Sequence, residues 1–230
     1  LVDLERYEQR YIENTAVLET ILYDRYGGAI KITDLIPRYM HYGRFYKPTL
    51  IHRSIEPLGG RPRVRVRIRP RFDYGETEPR ISTSSNSVRY TSSDMALRLT
   101  TDSSTCFIKD ESPFLVDRKY HFLFGTDEPL MSNIEETSRK YLGNTVRYWR
   151  DFTRTLSLPF EWQSEIIRAA ITLKLCTFEE TGGIVAGMTS SIPEAPGTKR
   201  TYDYRYCWLR DAQFVVTALN RLETTRTMED

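Results

Sequence analysis

Histidine and cysteine are both scarce, at three residues each. Cys106, Cys176 and Cys207 are odd in number and widely spaced, so they form neither a disulfide framework nor a metal-ligand pattern. His41, His52 and His121 are scattered. None has a carboxylate or cysteine at ligand spacing, so structural or surface roles are expected of all three. No run of about 18 apolar residues occurs, which excludes a membrane-spanning helix. Charge of one sign is lacking too: the formal net charge is +2, which gives no bulk electrostatic case for nucleic acid or an anionic membrane. No secretory leader is visible, and reduced thiols fit a cytoplasmic protein. The chain starts at Leu1 rather than Met and ends at Asp230 without a helix cap or breaker, so it reads as an excerpt of a longer protein.

What is present is an ordinary globular composition, 40% apolar and 28% charged over 230 residues, enough for one large domain or two smaller ones. The first half reads as strands. Residues 15–36 form a hairpin around Asp24 to Gly28, and Pro37 stops it. Further strands are expected at 49–56, 64–72, 88–90, 95–100, 105–109 and 119–124, separated by turn-rich breaks that include Ser82 to Ser87. Short strands spaced by turns argue an antiparallel sandwich. Arg61, Arg63, Arg65, Arg67, Arg69 and Arg71 alternate with residues that include Val64, Val66 and Ile68, so every arginine falls on one face. Such a row could line a nucleic-acid groove. It could equally be a solvated face laid over an apolar surface, which the balanced charge favours.

The middle reads as one long helix. Ser132 to Glu135 is a capping box with Ser132 at the N-cap. Ile134, Ser138, Tyr141, Thr145, Tyr148, Trp149, Phe152 and Leu156 follow at helical spacing. A helix with one such stripe must lie on something, and packing between the strands and the domain that follows is expected. Glu161 to Thr177 is a second helix with Trp162, Ile166, Ala169, Ala170 and Leu173 inward and Glu165, Arg168 and Lys174 outward. A third runs from about Ala212 to Leu222, with Val215, Ala218, Leu219 and Leu222 inward. The adjacent carboxylates Glu135-Glu136 and Glu179-Glu180 point apart on a helix and read as surface charge.

Between the last two helices lies the densest stretch of chemistry, Tyr202-Asp203-Tyr204-Arg205-Tyr206-Cys207-Trp208-Leu209-Arg210-Asp211-Ala212. Aromatic faces stack on the C–H face of a sugar, while Arg and Asp pair with its hydroxyls in fixed geometry. The same residues could instead be a buried Arg–Asp pair with Asp211 as a helix N-cap. The order Asp203, Tyr204, Tyr206, Trp208, Arg210, Asp211 resembles the first substrate-binding segment of glycoside hydrolase family 15, which includes glucoamylases and trehalase-like enzymes. Thr189 to Ala195 resembles the lead-in to that segment. Glu13 to Thr20 and Pro70 to Gly75 resemble parts of the N-terminal β-domain of trehalase-like members.

The resemblance implies an α+β multidomain fold: an antiparallel β-sandwich, a linker helix and the first helices of an (α/α)6 barrel of the six-hairpin glycosidase kind, truncated here. The corresponding expected bounds are 1–130, 131–158 and 159–230. It also implies an inverting exo-acting hydrolase of terminal α-glucosidic bonds, in maltooligosaccharides, starch or trehalose. Tyr204, Trp208, Arg210 and Asp211 would bind the terminal glucose. Tyr206 and Cys207 are expected to pack, and Glu194 is a weak candidate at best. Inversion uses a general acid and a general base roughly 6.5–9.5 Å apart. In the family both are glutamates, expected beyond Asp230, so no catalytic residue is assigned within this chain. No metal, organic cofactor or nucleic-acid partner is implied. Cys207 and Leu209, where glucoamylases carry polar residues, match the trehalase-like bacterial branch better. A non-catalytic carbohydrate-binding module remains the alternative, since a β-rich half and an aromatic loop suit it as well.

Overall fold

The computed structural model describes residues 1–189, 192–193 and 195–222. The chain divides into two compact units at Tyr148/Trp149. The first is built from strands β1 (Leu4–Tyr11), β2 (Leu18–Asp24), β3 (Ala29–Leu35), β4 (Tyr39–His41), β5 (Arg44–Tyr46), β6 (Leu50–Gly59), β7 (Arg63–Val64), β8 (Arg80–Thr83), β9 (Ser87–Thr91) and β10 (Ala96–Thr101). A single helical turn, α1 (Thr105–Lys109), then leads to β11 (Phe114–Leu115), β12 (Tyr120–Thr126) and the long helix α2 (Ile134–Arg154). Eight strands form one antiparallel sheet in the order β1-β2-β3-β6-β12-β10-β9-β8.

Strand alternation divides this sheet into two unlike faces. One face carries Ile30, Ile55, Val88, Tyr90, Leu99 and Phe122, and they form a core with Val64, Ile108, Phe114 and Val116. Val66 and Ile68 pack against the same core. The alternating arginine segment is therefore an amphipathic cover. Its aliphatic residues turn inward and its arginines are exposed. Arg67 and Arg69 pair with Glu111, and Arg71 pairs with Glu78, so acidic neighbours engage much of the row. The expected strand over 64–72 is corrected: Arg63–Val64 pairs with β11, Phe72 makes an isolated bridge to Thr77, and residues 65–71 lie outside any ladder. Pro62 and Pro70 have no N–H to donate to a ladder.

The other face carries Leu35, Leu123, Thr33, Ser54, His52 and His121, brought into register by β3, β6 and β12. Helix α2 packs its first four turns on a cluster of Val17, Leu35, Tyr39, Leu123 and Tyr141, with Ile134, Leu142 and Val146 alongside. Ser138 and Thr145 are buried as the helical spacing requires. The Thr145 hydroxyl accepts from the Arg38 backbone N–H at 3.2 Å. The cap of α2 is Asn133, not Ser132: its Oδ1 accepts from the Glu135 N–H at 2.8 Å.

Other expectations are corrected locally. Residues 105–109 form a helical turn rather than a strand, with Thr105 and Ile108 buried three apart. Strands β1, β4, β5 and β8 were not anticipated, and β8 runs into the expected break at Ser82. β1 is exposed along its length, so it has no alternating signature. β4 and β5 join through Tyr42 and Gly43, both at positive φ. His121 does have a carboxylate partner: its Nδ1 lies 3.0 Å from Asp102 Oδ2, and its backbone N–H donates to Asp102 Oδ1 at 2.7 Å.

The second unit begins at Trp149 and contains α3 (Gln163–Leu175), short strands β13 (Thr177–Phe178), β14 (Gly183–Ile184), β15 (Ile192–Pro193) and β16 (Thr201–Tyr202), and α4 (Leu209–Arg221). Its core is Leu156, Ala170 and Leu219, flanked by Phe152, Ile167, Leu173 and Val215. The buried stripe of α3 is rotated from the expected one. Ala170, Ile171 and Lys174 are buried, Ala169 is exposed, and Trp162 sits at the N-cap with φ 63° and 70% exposure. The chain ends beyond 222, with Ser190, Ser191 and Glu194, lie outside the described residues.

Two stability predictions follow from the sheet. Burial pushes the His52 imidazole down to about pKa 3, with positive charge at His121 and Lys119 adding to the effect. An unfolded histidine takes up its proton near pH 6.5, but folded His52 does not until about pH 3. Stability from this group is therefore full above pH 6.5 and is lost as pH falls from 6.5 towards 3. Urea unfolding of His52→Leu should show a shallower loss in that window, by about 1.4 kcal/mol per pH unit; parallel curves for variant and parent would refute it. At Gly125 an added Cβ would come within 2.3 Å of the Thr49 carbonyl oxygen and 2.9 Å of Leu50 Cα. Gly125→Ala should lower unfolding free energy by about 1–3 kcal/mol, as overpacking does, and a neutral result would show that β6 and β12 can part there.

Candidate functional site

The candidate segment forms an arm of the second unit. It leaves β16, runs back along the chain that follows β14, and enters α4. The Ala186 N–H donates to the Tyr206 carbonyl at 3.1 Å, Gly187 N–H to the Tyr204 carbonyl at 2.9 Å, and Tyr204 N–H to the Thr189 carbonyl at 3.1 Å. Further out, β15 pairs with β16 through Ile192↔Tyr202. Two glycines allow the close approach. A Cβ at Gly187 would lie 3.3 Å from Tyr204 Cβ, and one at Gly183 would lie 3.2 Å from Cys207 Sγ.

The arm brings Tyr204 and Trp208 together, with ring centroids 6.0 Å apart and planes at 84°. This edge-to-face packing is a favoured aromatic geometry. It leaves Trp208 40% exposed. Trp208 is also the N-cap residue of α4, with extended backbone. The helix therefore starts three residues earlier than expected, and Asp211 is not its N-cap. Arg210 and Asp211 occupy the first helical turn, where a carboxylate is favoured by the helix dipole. Arg210 Nη2 lies 3.4 Å from Asp211 Oδ2, a loose contact between two neighbours.

A tighter pair precedes them. Arg205 donates Nε to Asp203 Oδ1 at 2.9 Å and Nη2 to Oδ2 at 2.7 Å, while its backbone N–H donates to Oδ1 at 3.0 Å. The Arg205 side chain, then its backbone N–H, hold the Asp203 carboxyl down at about pKa 2. The Asp-x-Arg spacing was the available signal for this pair, whose arginine had no expected role. Tyr206 is 65% exposed and Cys207 is exposed, so neither is packed as expected.

Glu179 and Lys174 also depart from expectation. They form an ion pair at 3.3 Å with side chains only 10% and 6% exposed, so neither is a solvated charge. Glu180 is exposed. Among the described residues no group of three or more His, Cys, Asp and Glu could hold a metal ion.

Residues 163–230 match the model of glycosyl hydrolases family 15. The chain is 30% identical to a trehalase from Thermoplasma volcanium, over 94% of this chain and 35% of that protein. It is 28% identical to a trehalase from Thermoplasma acidophilum, over 92% of this chain and 37% of that protein. A trehalase from Mycobacterium tuberculosis is 34% identical over 46% of this chain and 15% of that protein. The chain thus spans about a third of the length of the two relatives that it matches almost throughout. The family match falls on α3, the arm and α4, so these residues resemble glycosyl hydrolases family 15, and the likeness to trehalases extends back through the strands.

Proposed function

We propose that the chain is part of an inverting, exo-acting glycoside hydrolase that cleaves the α-glucosidic bond of trehalose. The observation that carries this reading is the likeness to curated trehalases along 94% of the chain. Within that protein this chain supplies part of the pocket for the terminal glucose. Tyr204 and Trp208 form an aromatic wall against the sugar's C–H face. Asp211 accepts from sugar hydroxyls and Arg210 donates to them, each in a charge-assisted bond. The general acid and general base lie outside this chain. Residues 1–130 belong to a β-sandwich domain, 131–158 form a connecting helix, and 159–230 begin an (α/α)6 barrel.

The physical support lies in the exposure of the polar pair. The Arg210 side chain is 77% exposed and that of Asp211 30%, so both can reach a ligand. Trehalose and maltodextrins both end in an α-glucosyl unit, and the group on the leaving side distinguishes them. The relatives that match along most of the chain are trehalases, which favours trehalose.

The test uses the longer protein that contains this chain, supplied with trehalose and maltotriose side by side. Glucose release should be faster from trehalose, and faster release from maltotriose would reassign the substrate. Asp211→Asn should lower kcat/KM at least about a hundredfold, because a site built to pair sugar hydroxyls is left mismatched. Near-normal turnover would remove Asp211 from the pocket. Proton NMR of the first product from maltotriose should show β-glucose, and α-glucose would exclude inversion.

A further inference from the structure

We infer that the first unit carries a second carbohydrate site, a cleft that takes one neutral pyranose ring between helix α2 and the centre of the sheet. The cleft encloses about 330 Å³. That lies at the small end of ligand clefts, which run from ~300 to 1,000 Å³. It is distinct from the glucose pocket proposed above and does not depend on it, since every residue around it belongs to the first unit.

Its walls have the chemistry that a sugar needs. Tyr39, His41, Tyr46 and Tyr141 contribute rings. Tyr39 and Tyr46 have centroids 5.0 Å apart, and Tyr46 and Tyr141 lie at 6.0 Å. The hydroxyls of Tyr46 and Tyr141 are hydrogen-bonded to one another at 2.8 Å. With their hydroxyls tied together, these tyrosines offer the ring body, the part that packs on sugar C–H groups. Polar groups border the rings. Glu128, Glu136 and Lys140 line the cleft, and among the described residues none of them has an ion-pair partner. Glu136 and Lys140 are exposed and four residues apart on α2, so they stand on one helix face.

The charge balance selects a neutral ligand. Arg98 also lines the cleft, but its Nε donates to Asp127 Oδ1 at 2.7 Å and its charge is already matched. The remaining lining charges are one lysine and two glutamates, which favour neither an anion nor a metal cation and suit a ring of hydroxyls that donate and accept. An extended peptide is not the occupant the fold provides for. The cleft lies over Leu50, Leu123 and Thr100, on β6, β12 and β10, which are interior strands of the sheet with both edges paired. A peptide adding to a sheet needs an unpaired edge, and the edges here are β1 and β8.

The experiment is proton NMR of residues 1–230 with tyrosine rings selectively labelled, titrated with trehalose and separately with methyl α-D-glucopyranoside. Shifts and sugar-to-ring cross-relaxation are expected at Tyr46 and Tyr141. The double variant Glu136→Gln/Lys140→Ala should bind about tenfold more weakly, as the loss of two modest hydrogen bonds implies. Both substitutions fall on an exposed helix face, and near-UV circular dichroism checks that the fold is retained. No ring response at ~100 mM sugar, where even a Kd of ~10 mM would register, would overturn the site. So would unchanged affinity in the folded double variant. Neither result bears on glucose release by the longer protein, because the readout sits on the tyrosines of the cleft.

Discussion

Strands β6 and β12 occupy the middle of an eight-stranded sheet, and both of their faces have to be shielded from water. That requirement governs the rest of the first unit. On the aliphatic side, Ile55 and Phe122 are closed over by a segment whose alternation survives although only two of its residues join a ladder. Burying the side chains of Val64, Val66 and Ile68 supplies the driving force, and the hydrogen-bond ladder is dispensable there. On the other side the sheet presents buried histidines, serine and threonine beside the apolar cluster on which helix α2 packs. A polar layer beneath a helix is expensive unless it is satisfied. Here it is satisfied only in part: among the described residues the His52 ring nitrogens and the Ser138 hydroxyl have no hydrogen-bond partner. The first face is thus held by apolar area, and the second combines apolar contacts with the His52 imidazole, whose pKa burial lowers.

What could be read from the sequence follows from this division. The hairpin around Asp24 to Gly28 was legible because the turn chemistry is local: Asp24 Oδ1 accepts from the Tyr26 and Gly28 N–H groups. The buried stripe of α2 was legible because Ser138, Tyr141 and Thr145 repeat at helical spacing over many turns. The arginine row revealed its two faces but not its lack of a ladder, since alternation reports which way side chains point and not what the backbone pairs with. Strand β1 was invisible because it buries nothing; Gln9 instead donates its side-chain amide to the Thr20 hydroxyl on the neighbouring strand. The turn at Thr105 is too short for any period to show.

The second unit shows a different limit. The motif residues Tyr204, Trp208, Arg210 and Asp211 could be singled out together, but not the strand-like partner of their arm. That pairing depends on Gly183 and Gly187, some twenty residues earlier, being bare enough for the arm to lie against them. The stripe of α3 was misjudged for a related reason. Lys174 looks like a solvent-facing residue until Glu179, beyond the end of the helix, is placed beside it. A buried lysine is tolerated only with such a partner, and partners that meet across a turn leave no periodic trace.

The two arginine–aspartate pairs of the arm differ in a way that bears on which of them meets a ligand. Asp203 and Arg205 bind each other through two side-chain contacts and a backbone N–H, which occupies most of the carboxylate's acceptor sites. Such a pair shapes the loop and has little capacity left for a sugar. Arg210 and Asp211 touch only at 3.4 Å, and the arginine stands largely in solvent. Asp211 lies in the first turn of α4 and is not its N-cap, so its carboxylate oxygens are not used on a cap. Trp208, one residue before the helix, is fixed by Tyr204 on the arm. Aromatic rings on the arm and a charged pair on the helix that is not spent on itself are the features on which the proposed glucose pocket rests. The proposal that Arg210 and Asp211, rather than Asp203 and Arg205, meet a sugar rests on that difference.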